Sequence, residues 1–151
     1  MKDLIQHKRA HFDYEILETF EAGIVLSGSE TKSVRLGRCK LEGGHVVVRG
    51  GEAYLVGVSI APYQTANTAK DYEPETPRKL LLSKKEIALI LAQSEKRGLT
   101  VVPLTMYNNK RYIKVKIGIA RGKKNYDKRD KIQERETDRT ILRTLKNQKN
   151  T

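Results

Sequence analysis

Three side chains in the alternating segment 111–120 could contact a nucleic acid from one face of a strand. Because polar and apolar residues alternate there, Tyr112, Lys114 and Lys116 share one side, and four aliphatic residues share the other. Lysine ammonium groups attract phosphates, and a tyrosine ring is a surface on which a base can stack. The pattern predicts an RNA-binding strand face, and an ordinary solvated strand face is the alternative.

A second cluster follows in segment 121–129, where five cations accompany one acidic residue and Tyr126. Such a segment can neutralise several phosphates while its ring stacks on a base. Beyond it, cations recur every four residues and would form one stripe on a helix: Lys131, Arg135, Arg139 and Arg143. We expect a segment that becomes helical against an RNA groove, and a solubilising tail is the alternative.

Catalytic chemistry finds little support in the sequence. Glu21 and Glu30 could be considered as a metal-binding nuclease pair, but no Asp-x-Asp or His-x-x-x-His spacing accompanies them. Surface or capping carboxylates are the favoured interpretation of both residues. Cys39 is the single cysteine, so it cannot form an internal disulfide or complete a zinc ligand set. We therefore expect no enzyme activity, no metal and no cofactor.

The net charge indicates the class of partner. The chain has 151 residues, of which 38% are hydrophobic and 32% charged, and its net charge is +12 with a pI near 9.8. Such a surface attracts phosphate backbones by electrostatic steering and counterion release. No run approaches the roughly 18 apolar residues of a membrane span, and the first residues lack the features of a secretory signal. We expect a monomeric, cytoplasmic protein that binds nucleic acid and no membrane.

The charge is unevenly distributed along the chain. Residues 121–151 contain 11 basic and 5 acidic residues, a net of +6 that is half of the total excess. A segment with so few apolar residues cannot offset its ordering entropy by burial. The predicted organisation is a folded domain over 1–120 and a basic tail over 121–151 that is disordered when free.

Short runs rich in β-branched and aromatic residues predict a mainly β fold for the first part of the chain. Gly50-Gly51 lies between two apolar runs and predicts a tight hairpin. Segment 61–78 contains three prolines and predicts a binding loop or a disordered stretch. The predicted strands are 14–20, 22–26 with a bend near Gly23, 45–49, 52–60, 80–82, 99–107 and 111–120.

Two helices are predicted between these strands. Ser29 is expected to cap a short helix over 30–36. Ser83 and Glu86 match a capping box, and the longer helix that they begin should end at Gly98. Short antiparallel strands with few helices favour a closed barrel of the oligonucleotide/oligosaccharide-binding (OB) type, with a twisted sandwich as the alternative.

Several segments, in order, resemble one known family. They are 20–26 (FEAGIVL), 28–35 (GSETKSVR), 78–82 (RKLLL) and 114–124 (KVKIGIARGKK), the last followed by 126–129 (YDKR). Over about residues 7 to 145 the chain resembles the tmRNA-binding protein family, also called SmpB or SsrA-binding protein. The resemblance implies an OB barrel with accessory helices. It also implies a protein that binds the tRNA-like end of tmRNA and delivers it to ribosomes stalled on truncated messages.

The resemblance also implies roles for particular residues. Contact with tmRNA would fall on Glu21, Leu81 and Lys114. The tail would occupy the empty message channel near the decoding centre of the ribosome, through Gly122, Lys123, Lys124, Tyr126, Asp127, Lys128 and Arg129. The alternatives are a general single-strand binder or ribosomal protein with a similar barrel, and the metal-dependent nuclease considered above.

Overall fold

A computed structural model describes residues 3–64 and 72–123. Its strands are β1 (Asp3–Gln6), β2 (Tyr14–Ile24), β3 (Cys39–Lys40), β4 (His45–Arg49), β5 (Glu52–Val56), β6 (Ser59–Ile60), β7 (Arg78–Leu81), β8 (Leu99–Asn109) and β9 (Tyr112–Gly122). Its helices are α1 (Ala10–Asp13), α2 (Gly28–Arg35) and α3 (Lys84–Ser94). The predicted mainly β class is confirmed.

Seven strands form one antiparallel sheet in the order β1-β8-β9-β2-β7-β5-β4, and β3 pairs with β6 in a second, two-stranded sheet. The long strands β2, β8 and β9 are each 11 residues and form the centre of the large sheet. The sheet curls far enough for β4 to pack against β8, with which it is not paired.

The expected closure of the barrel is not confirmed. Within the described residues, β1 and β4 are the two edges of the large sheet, and no ladder joins them. A hydrogen-bonded barrel needs its first and last strands to pair. The observed architecture is therefore a curled, open antiparallel sheet with accessory helices.

The alternating pattern of β9 places its aliphatic side chains in the core, as predicted. Ile113, Val115, Ile117 and Ile119 are 5%, 0%, 0% and 2% exposed. They join buried residues of β5, β7 and β8 in a single apolar cluster that includes Leu55, Leu80 and Met106. The opposite face of the same strand carries Tyr112, Lys114 and Lys116, so the core fixes which side chains the sheet presents to solvent.

The N-cap of α2 differs from the prediction. Ser27, rather than Ser29, caps the helix, because its hydroxyl accepts the Glu30 N–H at 3.1 Å. The Glu30 carboxylate in turn accepts the Ser27 N–H at 3.0 Å, which completes a capping box. The predicted capping box of Ser83 and Glu86 on α3 is confirmed.

Residues with positive φ, several glycines and one lysine, determine where some of the strands begin or end. Gly57 has a φ of 74° and divides the predicted strand 52–60 into β5 and β6. Gly50 and Gly51 both have positive φ, as the predicted hairpin of β4 and β5 requires. The β8–β9 turn lies at Lys110, whose φ is 59°, so β8 extends further than predicted. The predicted strands 14–20 and 22–26 are one continuous strand, β2, which ends at Ile24.

Three short elements were not predicted from the sequence. They are β1, α1 and β3, and each spans two to four residues. Of the predicted loop 61–78, residues 61–64 and 72–77 are irregular and 65–71 lie outside the described residues. No helix in the described part of the chain is long and apolar enough to cross a bilayer.

Candidate nucleic-acid interface

The strand register aligns the predicted RNA contacts on the solvent side of the large sheet. On β2, Gly23 pairs with Lys114 of β9 on one side and with Leu81 of β7 on the other. Residues opposite one another on neighbouring strands share a face of the sheet. Lys114 and Leu81, which are 33 positions apart in the sequence, therefore lie on either side of one glycine.

Gly23 allows Leu81 to lie close against the sheet. A Cβ atom at position 23 would be 3.1 Å from the Leu81 Cβ and 3.3 Å from its Cδ1. The Leu81 side chain is 55% exposed, so it presents an apolar surface to solvent beside the Lys114 cation. An apolar surface next to a cation can hold a base or ribose while the charge contacts phosphate.

Glu21 lies two residues before Gly23 and pairs with Lys116 in the β2–β9 register. Its carboxylate makes no salt bridge among the described residues. Nearby, the hydroxyl of Tyr107 is buried without a well-formed hydrogen bond. Burial and the adjacent Glu21 carboxylate raise the pKa of Tyr107 to about 12, so this group stays protonated.

These residues line a surface groove of about 550 Å³ between the sheet and the start of α3. Glu21, Leu81 and Lys114 are all among its lining residues. The other polar lining includes Glu52, Lys79, Ser83 and Glu86. The structure thus brings together the residues on which the family resemblance places tmRNA contact.

Another two charged side chains of the groove lining, Lys79 and Glu52, are bonded to each other. Lys79 donates a hydrogen bond to the Glu52 carboxylate at 2.9 Å, and the Tyr54 hydroxyl donates to the same group at 2.9 Å. The hydrogen bond from Lys79 lowers the pKa of Glu52. The Glu52 carboxylate in turn raises the pKa of Lys79 and of Tyr54. Lys114 has no such carboxylate partner within the described ranges, so its charge is available to a ligand.

Tyr112 and Lys116 share the solvent face with Lys114 but lie outside the groove lining. Tyr112 is 74% exposed, and Lys116 is also exposed. They extend the candidate surface along β9 in opposite directions from Lys114. Sequence reasoning did not identify Gly23, Glu52 or Lys79 as part of the site, since only the strand register shows that they border it.

The start of the predicted tail is attached to the folded domain. Gly122 pairs with Tyr14 in the β2–β9 ladder. Lys123 donates its backbone N–H to the Asp13 carbonyl at 3.0 Å and its ammonium group to the His11 carbonyl at 2.7 Å. The predicted tail contacts from Lys124 to Arg129, and the cationic stripe beyond them, lie outside the described residues.

The two carboxylates of the nuclease alternative have different environments. Glu30 is 9% exposed and forms a 2.7 Å ion pair with the buried Arg78, whereas Glu21 faces the groove. Burial by itself would raise the pKa of Glu30, but the Ser27 N–H and the Arg78 guanidinium outweigh burial, and the pKa is lowered. Across residues 3–64 and 72–123, no three acidic, histidine or cysteine side chains are grouped to hold a metal ion.

Cys39 is a packing residue rather than a reactive thiol. It is buried, with its sulfur 3.9 Å from the sulfur of Met106. Burial raises the pKa of the Cys39 thiol to about 12, so the thiolate is scarcely populated at neutral pH.

Comparisons with known proteins agree in pointing to one family. The family model described as SmpB protein matches residues 4–147. The SsrA-binding protein of Roseiflexus sp. (strain RS-1) is 52% identical over 140 residues, which cover 93% of this chain and 89% of that protein. The SsrA-binding protein of Enterococcus faecalis (strain ATCC 700802 / V583) is 47% identical over 146 residues, which cover 97% and 94%.

A solved structure shares the fold as well as the sequence. A chain of the structure described as "tmRNA-SmpB: a journey to the center of the bacterial ribosome" is 47% identical to this one and superposes with a TM-score of 0.67. The match covers 80% of this chain and 84% of that chain. With a family model spanning nearly its whole length, and with relatives of about half-identical sequence, this chain belongs to the SmpB protein family.

Proposed function

We propose that this protein binds tmRNA at its tRNA-like domain and delivers it to ribosomes stalled on truncated messages, where the unfinished peptide is tagged. The observation that carries the proposal is the meeting of Glu21, Leu81 and Lys114 in one groove on the solvent face of the sheet. The names of the relatives and the ribosomal complex of the similar structure support it.

Each of the three groove residues has a distinct chemical role in this proposal. The Lys114 ammonium group contacts phosphate, and Leu81 supports the apolar face of a base or ribose. Glu21 repels phosphate, so it accepts hydrogen bonds from the amino or imino groups of a base, or from a ribose hydroxyl. Tyr112 and Lys116 extend the contact along β9 by stacking and by charge.

We further propose that the folded domain and the basic tail bind different partners. The folded domain holds tmRNA, and the segment from Gly122 to Arg129 enters the message channel of the small ribosomal subunit. The cationic tail fits an rRNA groove only when no message occupies it, because message and tail compete for the same sites. The net charge of +6 over 121–151 supports this role, as does the anchoring of Lys123 to α1.

The remaining parts of the proposal follow from this function. The protein acts as a cytoplasmic, monomeric binding module rather than as an enzyme, and it needs no metal or cofactor. The curled sheet works as an OB-like platform, a fold type that binds oligonucleotides on its strand face. Packing of β4 against β8 supports a barrel-like curvature even though those strands are not paired.

A competition gel shift tests the proposal. Labelled tmRNA bound to the protein is challenged with unlabelled tmRNA, bulk tRNA or unstructured RNA of equal length at one fixed salt concentration. We expect tmRNA to compete at least about tenfold better than the other RNAs, because the groove adds specific contacts to the general electrostatic attraction. Equal competition by all three would identify a general single-strand binder and overturn the proposal.

A further inference from the structure

A buried hydroxyl group, that of Tyr107 on β8, lies on the groove side of the large sheet. Tyr107 pairs with Lys114 in the β8–β9 register, whereas its neighbour Met106 pairs with Val115 of the core. Residues opposite one another share a face of the sheet, so Tyr107 is on the face that carries Lys114. Its side chain is nevertheless only 5% exposed, and its hydroxyl is withdrawn from water.

The Tyr107 side chain extends towards Glu21. Strand β9 lies between β8, which carries Tyr107, and β2, which carries Glu21, so about 10 Å separates the two backbones. The Tyr107 hydroxyl still interacts with the Glu21 carboxylate, which together with burial raises the pKa of Tyr107 to about 12. To reach this carboxylate, the tyrosine side chain must lie across β9 on the face that carries Lys114.

The hydroxyl and the carboxylate are close, but they do not form a full hydrogen bond. The Tyr107 hydroxyl has no partner with hydrogen-bond geometry in the described parts of the chain. Burial of a hydroxyl without such a bond costs folding free energy, and native proteins leave few side-chain groups in this state. A phenylalanine would fill the same space without this cost. Packing alone therefore does not explain the tyrosine at position 107.

Two other buried side-chain atoms of the described residues also lack a partner, but they lie elsewhere. They are Ser33 Oγ on α2 and Asn108 Oδ1. Asn108 pairs with Ile113 of the core, so it is on the opposite face of β8 from Tyr107. Among these three groups, the Tyr107 hydroxyl is the one beside a carboxylate of the groove.

A second carboxylate near Tyr107, that of Asp3, is a poorer acceptor for the hydroxyl. Asp3 pairs with Tyr107 in the β1–β8 register, but its charge affects the pKa of Tyr107 less than Glu21 does. Its Oδ2 already accepts a hydrogen bond from the Gln6 amide at 3.2 Å. Asp3 is also exposed on the edge strand, where water solvates it. Glu21 is therefore the acceptor that we assign to Tyr107.

We propose that Tyr107 is a positioning residue for RNA recognition, whose hydroxyl donates to one oxygen of Glu21 while the RNA engages the other oxygen. The inference rests on the proposed function, in which Glu21 accepts hydrogen bonds from a base or a ribose. Tyr107 is not among the groove-lining residues, so it acts through Glu21 rather than on the RNA. A carboxylate can accept both bonds, and a donor already in place reduces the entropy that Glu21 loses on binding.

Tyrosine-to-phenylalanine changes in the full-length protein test this inference. Tyr107→Phe keeps the ring and removes the hydroxyl. Tyr72→Phe is the matched control, because the Tyr72 hydroxyl donates to the Ile60 carbonyl at 2.8 Å and Tyr72 is not among the groove-lining residues. Filter binding at several salt concentrations measures tmRNA affinity, and urea midpoints measure stability. Both measurements are repeated for Glu21→Ala and for Glu21→Ala/Tyr107→Phe.

We expect Tyr107→Phe to bind tmRNA about three- to tenfold more weakly than wild type, with a urea midpoint equal to or above that of wild type. Its plot of log affinity against log salt concentration should keep the wild-type slope, because no phosphate contact is lost. Tyr72→Phe should show unchanged affinity and a lower midpoint, since it loses a formed hydrogen bond. In the Glu21→Ala background, Tyr107→Phe should cause no further loss of affinity.

Three results would overturn the inference. The first is a Tyr107→Phe variant that binds tmRNA as tightly as wild type, and the second is a loss of affinity accompanied by a lower urea midpoint. The third is the same loss of affinity with and without Glu21, which would show that the hydroxyl acts on another group. Failure of the proposed function is distinct from all three, because the wild-type protein itself would then show no preference for tmRNA over bulk tRNA.

Discussion

Arg78, at the start of β7, donates two hydrogen bonds to the Glu30 carboxylate on α2, from Nε at 3.0 Å and from Nη2 at 2.7 Å. It donates a third to the Val58 carbonyl at 2.8 Å. The side chains of Arg78 and Glu30 are only 2% and 11% exposed. This buried ion pair fixes α2 against the strand that carries Leu81.

Replacing Arg78 should destabilise the fold strongly. Arg78→Met leaves the Glu30 carboxylate buried without its ion-pair partner, and we expect a loss of about 3–5 kcal/mol in the free energy of unfolding. Urea denaturation measures this loss. The matched control is Arg121→Met, which removes the exposed pair with Glu15 at 3.6 Å and should cost at most about 1 kcal/mol.

A second substitution separates the effect of the unpaired buried charge on stability from the effect of lost packing. Adding Glu30→Gln to Arg78→Met removes the unpaired buried charge while keeping an oxygen that can cap α2, so the double variant should be more stable than Arg78→Met alone. If Arg78→Met lowers the free energy of unfolding by no more than the Arg121→Met control does, the ion pair does not hold α2 to β7.

The same pair predicts how stability depends on pH. The pKa of Glu30 is lowered from its ordinary value of 4.5, so the folded state favours the ionised carboxylate. Its contribution is therefore fully present above the unfolded-state pKa and is lost as pH falls through the lower folded-state pKa. Urea midpoints should show wild type more stable than Glu30→Gln at neutral pH, with the difference shrinking below about pH 4.5. A difference that stays constant down to pH 3 would contradict this prediction.

Local patterns in the sequence were sufficient for the parts of the fold that short-range chemistry determines. Alternation identified the buried and exposed faces of β9, and Ser83 with Glu86 identified the start of α3. The glycine pair at 50–51 identified the β4–β5 hairpin. The predicted cap of α2 was wrong: Ser27 caps the helix because Glu30 lies three residues after it, a spacing that Ser29 lacks.

The composition of the groove depends on strand register, which the sequence does not encode locally. Nothing near Gly23 indicates that it will pair with both Lys114 and Leu81. The family resemblance named Glu21, Leu81 and Lys114, and the structure shows that these three residues line one groove. Closure of the sheet was predicted and is not confirmed, because short strands indicate a β fold without determining whether the two edges pair.

Leu81→Ala should weaken tmRNA binding about fivefold. The leucine is 55% exposed in the free protein, so its truncation costs little folding stability but removes apolar surface that RNA would cover, worth about 1 kcal/mol. A filter-binding titration measures the change. Leu89→Ala is the matched control, since this leucine of α3 is 38% exposed and is not among the groove-lining residues. Equal effects of the two variants would argue against Leu81 as an RNA contact.

Lys114→Glu should weaken tmRNA binding by roughly tenfold or more, because it places a negative charge where phosphate is expected. The salt dependence of binding should also become shallower by about one unit of slope. Lys96→Glu makes the same charge change at an exposed position outside the groove lining and controls for the loss of net charge. A Lys114 variant that binds tmRNA as well as this control would remove Lys114 from the interface.

Ending the chain after Lys123 should separate tmRNA binding from peptide tagging. This end point preserves β9, which ends at Gly122, and the hydrogen bonds from Lys123 to α1. Because the groove lies within the remaining domain, the truncated protein should keep most of its tmRNA affinity at physiological salt. Tagging on stalled ribosomes should be lost, because the cations proposed to enter the message channel are gone.

A full-length variant with Lys124, Lys128 and Arg129 changed to glutamine is the matched control for this truncation. It keeps the length of the tail and removes three of its charges, so it should bind tmRNA normally and tag weakly if charge drives entry into the channel. Gel shifts with tmRNA and a tagging assay in a reconstituted translation system report the two activities separately. A truncation that abolished tmRNA binding as completely as tagging would contradict the division between domain and tail, because both activities would then depend on the same residues.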